Sequence, residues 1–193
     1  MKKILLILLL ILLVGCNVES NVNYEIKYNE TLNKYNNFNE FHKYYVKGII
    51  EYNAGETNQH IARYNYQLQS INYDNSELNE AYEYCVVARD LFSISNNYYQ
   101  KGIAYFNKSF DVSNKEQKII IKKYIQISNS AIEMNWNLYE SCEYTESAII
   151  YFYNEDYAAG NLRIEEGNKK IREHDRIIIT HNKNMKELEV LLE

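Results

Sequence analysis

The chain has no proline in 193 residues. Proline interrupts helix interiors, so its absence predicts a few long, unbroken helices. Glycine is nearly as scarce, at six residues. That leaves little of the turn and loop material on which catalytic groups are usually carried. Sustained alternation of apolar and polar residues, the signal of a strand, is lacking; apolar residues recur at spacings of three and four instead. There is no phosphate-binding glycine loop, no nucleophile elbow and no zinc-ligand spacing. No His-x-x-x-His or Glu-x-x-His pair occurs, so a di-iron site of the four-helix type is unsupported. Basic charge is short as well: 21 Lys and Arg stand against 26 Asp and Glu, a net charge of -5. No basic stripe offers itself to nucleic acid. These absences together predict a protein with no cofactor, no metal, no nucleic-acid partner and no enzymatic activity.

The first sixteen residues carry the most specific signal. Lys2 and Lys3 form a basic head, residues 4–14 are continuously apolar, and Leu13, Val14 and Gly15 lead directly to Cys16. The apolar run is about half the roughly twenty residues that a bilayer-spanning helix needs. Head, run and small residues have the layout of a secretory signal peptide. The Leu-Val-Gly-Cys ending resembles the lipobox of prokaryotic lipoproteins, bacterial or archaeal. The resemblance implies cleavage before Cys16, a thioether-linked lipid on its sulfur, and residence on the extracytoplasmic face of a membrane. The other reading of these residues is an uncleaved anchor or an N-terminal core helix. The expected organisation is a signal peptide at 1–15, the lipidated cysteine and a polar tether at 16–23, and a single ectodomain at 24–193. Loss of Lys2 and Lys3 would move the net charge from -5 to -7.

Beyond the tether the helical periodicity predicts an all-α fold, an elongated antiparallel bundle of coiled-coil-like helices. A first helix is expected over 22–53, ended by Ala54-Gly55, and Thr57 would cap a second. A third would follow Asp74-x-x-Glu77, with the second and third allowed to be continuous. Its stripe includes Cys85, Phe92, Asn96, Tyr99 and Phe106. Ser113-x-x-Glu116 reads as a capping box opening the fourth, whose stripe includes Tyr124, Ala131, Asn135 and Cys142. A turn near Asn154 would lead into the last helix, over 157–192.

Four sets of residues are candidates for function. With Cys16 lipidated, Cys85 and Cys142 remain in an exported domain, a context that favours a disulfide. A hairpin turning near residue 112 brings them level to within roughly 3 Å along the axis. The competing reading is two buried thiols packed as small apolar groups. His174 and His181 lie one heptad apart on the last stripe and form a candidate pH-sensitive seam; about 10.5 Å of helix separates them, too far for one metal ion. Gly160 and Gly167, on the same stripe, suit close helix approach or space for a ring or ligand. Glu140, Glu143 and Glu146 read as a solvated acidic ridge.

Tyrosine occurs twenty times, a count that A/T-rich coding bias also explains. The expected function is a non-enzymatic interaction or structural module of the cell envelope, binding another envelope protein or itself. The alternative is a small-ligand or glycan binder with a tyrosine-lined pocket between helices.

Overall fold

The computed structural model describes residues 40–193. The expected signal peptide, Cys16, the expected tether and the first part of the expected 22–53 helix lie outside the described residues. The protein is all-α: α1 (Glu40–Asp74), α2 (Leu78–Asp111), α3 (Lys115–Tyr153) and α4 (Tyr157–Leu192) follow one another with short turns. No strand occurs among the described residues.

The turns are built from local hydrogen bonds. After α1, Ser76 takes a left-handed conformation (φ 65°). Its N–H donates to the Tyr73 carbonyl at 3.0 Å and the Glu77 N–H donates to Asn72 at 2.8 Å. The α3–α4 turn repeats this pattern. Glu155 is left-handed (φ 59°), and the N–H groups of Glu155 and Asp156 donate to Phe152 and Tyr151. Both are Schellman closures made without glycine. The Asp156 side chain then accepts from Ala159 N–H and caps α4. Between α2 and α3 the capping box is present one residue later than expected: Asn114 and Gln117 exchange reciprocal bonds, not Ser113 and Glu116. Ser113 instead donates to the Ser109 carbonyl.

The expected break at Ala54-Gly55 is absent. α1 runs straight through it, because Gly55 serves packing instead of termination. A β-carbon there would meet the Tyr99 ring at 2.9 Å, and one at Gly48 would meet the Phe106 ring at 2.6 Å. The break lies instead between the segments predicted as second and third helices.

Neighbouring helices run antiparallel. α1 sets Gly48 against Phe106 of α2. α2 sets Arg89 against Glu146 of α3. α3 sets Lys123 against Glu187 and Glu140 against Lys170 of α4. The interior has two apolar clusters. One is aromatic, with Tyr45, Tyr52, Tyr99, Phe106 and Tyr124 around Ile49, Ile121 and Ile127. The other holds Ala62, Cys85, Ala88, Phe92, Leu138 and Cys142.

Cys85 and Cys142 are level, as the hairpin geometry requires, but the expected disulfide is not formed. Both are free and buried. The Cys85 thiol is held protonated by its hydrogen bond to Cys142 and by burial. Phe92 and Leu138 fill the same cluster, and the sulfurs pack there as two small apolar groups. The acidic ridge is also corrected at one position. Glu146 is 8% exposed and bonds Arg89 at 2.9 Å, so it belongs to the α2–α3 contact and not to a solvated face.

Candidate functional site

The polar residues that the helices bury converge on one level and one seam. Asn135 of α3 is fully buried. Its carbonyl accepts from Gln59 Nε2 of α1 at 2.7 Å. Its amide donates to Ser95 Oγ at 3.0 Å and Asn96 Oδ1 at 2.9 Å, both on α2. Ser95 donates onward to the Gly55 carbonyl at 2.8 Å, and the Tyr99 hydroxyl donates to Gln59 Oε1 at 3.1 Å. This layer separates the two apolar clusters and joins three helices. Such a network tolerates one alignment well and others poorly, since each buried polar group left unpaired is costly.

The seam lies beside this layer, where α4 faces α1. The Tyr52 hydroxyl oxygen lies 3.5 Å from Met185 Sδ, which places these two residues level across α1 and α4. Equal steps along α1 and back along α4 from that pair bring Glu56 level with His181 and Arg63 level with His174. Electrostatics agree with this register: the Arg63 charge acts on both imidazoles. Both histidines are held below the usual 6.5, first by burial and then by Arg63. Asp175 opposes the effect at His174, and an Ile127 backbone bond opposes it at His181.

Each histidine has a defined partner on one side. Ser130 Oγ lies 2.8 Å from His181 Nδ1 and donates to the Ile127 carbonyl at 2.9 Å. The single hydroxyl proton is thus used, and the ring nitrogen is the donor. His174 Nδ1 lies 3.0 Å from Asp175 Oδ1; a carboxylate only accepts, so Nδ1 carries the proton here too. Glu56 accepts from the Tyr52 phenol at 2.7 Å, and burial raises its carboxyl above the usual range. Tyr66 and Ser141 share a hydrogen bond at 3.0 Å at the far end of the seam.

Sequence reasoning placed His174 and His181 on one face of the last helix, and in the structure both imidazoles feel the Arg63 charge. It missed Arg63, Glu56 and Gln59. The only available signal was the heptad interval between Glu56 and Arg63, and an expected helix boundary at Gly55 hid it. The space at Gly160 is filled by the Phe152 ring, and Gly167 lies in ordinary contact with Tyr144 and Ser141. Four of the tyrosines, Tyr45, Tyr52, Tyr99 and Tyr124, are packed core.

Among the described residues, no three of His, Cys, Asp and Glu are grouped so as to hold a metal ion. No helix among them is long and apolar enough to cross a membrane. The chain matches no protein family, no curated protein and no solved structure.

Proposed function

We propose that the protein is a membrane-anchored surface lipoprotein that acts as a non-enzymatic interaction module of the cell envelope. The leader and Cys16 supply the anchor. The helical region is an elongated, coiled-coil-like antiparallel bundle. Helices of 34 to 39 residues are about 51 to 58 Å long at the α-helical rise. Heptad rows on α4 support the coiled-coil reading: Gly160, Gly167, His174, His181 and Leu188 form one, and Ile164, Ile171, Ile178, Met185 and Leu192 the next.

The observation that carries the proposal is the apolar pole formed at the α1–α2 and α3–α4 turns. There Ile71, Ile150, Tyr153, Tyr157 and Leu162 are each 51 to 62% exposed. Rings continue the surface inward, with Tyr73 against Phe152 and Phe152 against Tyr157. Exposed aromatic residues grouped at one end have the character of a protein contact surface. The opposite pole, at the α2–α3 turn and the end of α4, exposes the aliphatic Val112, Val190 and Leu191.

The test is a crosslinking pull-down of the native lipoprotein from its own membranes, against a Y153S/Y157S/L162S variant. A stoichiometric envelope protein, or a second copy of this chain, should be recovered with the wild type and lost with the variant. Recovery unchanged by the variant would overturn the assignment of the pole. Loss of membrane association in Cys16→Ser is expected independently, and persistent association would overturn the anchor.

A further inference from the structure

The seam holds three buried polar atoms that no described residue satisfies: Arg63 Nε, Arg63 Nη2 and His174 Nε2. The two arginine atoms form the side-on edge of the guanidinium. That edge is the fork that pairs with two oxygens of a single carboxylate or phosphate. Arginine is charged at any physiological pH, yet among the described residues Arg63 forms no ion pair. Glu56, on the same helix, has its Oε1 engaged by Tyr52. Asp175, across the seam, is engaged by His174 Nδ1. With Nδ1 protonated, a neutral His174 buries a bare lone pair at Nε2.

One ligand can meet both demands. It brings two acceptor oxygens to Arg63, and a proton accompanies it at His174. Several nearby polar groups are engaged elsewhere. From α1, Tyr66 bonds Ser141 of α3. From α2, Tyr99 bonds Gln59. On α4, His181 bonds Ser130 of α3. We propose that Arg63 and His174 form a binding site for a small oxyanion, a carboxylate or a phosphate, taken up together with one proton at His174. The proton arrives on the ligand, as in hydrogen phosphate, or from solvent to give an imidazolium. An empty site would set that imidazolium beside the guanidinium charge. An anion between them removes the repulsion, so anion and proton are taken up together.

The test uses the full chain, isotopically labelled, titrated with inorganic phosphate and separately with acetate. The Arg63 Nε–H and His174 ring signals are read on the acid and alkaline sides of the histidine midpoint. Both residues should shift together and saturably, more tightly on the acid side, with the His174 midpoint moving up. A response to phosphate alone assigns a phosphate site, and one to acetate alone a carboxylate site. Arg63→Gln should abolish the saturable response. Arg63→Lys, which keeps the charge without the fork, should weaken binding by roughly tenfold, and it carries the comparison if Arg63→Gln does not fold. His174→Gln should bind without the pH dependence. No saturable shift with either anion, or an undiminished response in the Arg63 variants, would overturn the proposal.

Discussion

The two halves of the interior fill the same three-helix space in different ways. On the side nearer Glu40 the space is filled with rings. Tyr45, Tyr52, Tyr99, Phe106 and Tyr124 meet edge-on, tilted or stacked with centroids 5.0 to 6.1 Å apart, and glycines on α1 seat two of the rings, Phe106 and Tyr99. On the other side most buried residues are small, Ala62, Ala81, Ala88, Cys85, Cys142 and Ala148, with Phe92, Leu138 and Ile149 as the larger exceptions. Between them lies the polar layer centred on Asn135. Rings and small residues both pack by contact, and contact alone permits sliding by a heptad. The hydrogen-bonded layer is specific to one alignment, so it fixes the register that both halves share.

The comparison can be broken most strongly from the aromatic side. Phe106→Ala should lower stability by about 3–5 kcal/mol, because the ring leaves a cavity among other rings. The small-residue half should respond to the opposite insult, with Ala88→Leu costing about 1–3 kcal/mol through overpacking. Denaturant unfolding of the two variants checks both. Next comes the layer: Asn135→Ala strands Gln59, Ser95 and Asn96 and should cost about 2–4 kcal/mol. Asn135→Leu should leave a helical protein with a less uniquely ordered core, read as loss of amide-signal dispersion.

The glycines sharpen the contrast further. Gly48→Ala forces a β-carbon into the Phe106 ring and should cost about 1–3 kcal/mol. Gly167→Ala meets only ordinary contacts at 3.4 Å or more and should gain up to about 1 kcal/mol from helix propensity. Thermal melts decide both signs.

The smallest expected effect is electrostatic. His174 and His181 are held below 6.5 by burial, so on acidification the unfolded chain binds protons first. Stability therefore falls as pH drops below about 6.5 towards the folded midpoints. Glu51, Glu56 and Glu146 are held above 4.5 by burial and act with the opposite sign: the folded chain binds protons first, and stability rises as pH falls through their folded midpoints. A His174→Gln/His181→Gln variant should lose the first contribution only. Melting temperatures of the two proteins, in buffer free of phosphate and carboxylate, should diverge as pH falls from about 6.5 towards the folded histidine midpoints.

Much of this was readable in the sequence. The all-α class followed from the missing proline and the three–four spacing. The Cys85–Cys142 level followed from the α2–α3 turn alone, since antiparallel register is simple arithmetic once the turn is known. Asn96 and Asn135 could be placed on core stripes by number. Their partner Gln59 could not, because glycine carries two opposite meanings. At a helix end it supplies a left-handed turn; inside a helix it seats a ring. Only the ring of Tyr99, on another helix, decides between them at Gly55. The left-handed positions went to Ser76 and Glu155, where no glycine marked the turn. The Arg63 edge of the seam was hidden for a related reason. An arginine on a weakly patterned helix reads as surface until the opposite helix is known.

Site-specific photocrosslinking in native membranes tests the proposed contact surface at the α1–α2 and α3–α4 turns. A photoreactive residue at Tyr157 is compared with one at Val112, on the opposite pole. A discrete protein adduct is expected from position 157 and none from position 112. Adducts from position 112 alone, or from neither position, would contradict it.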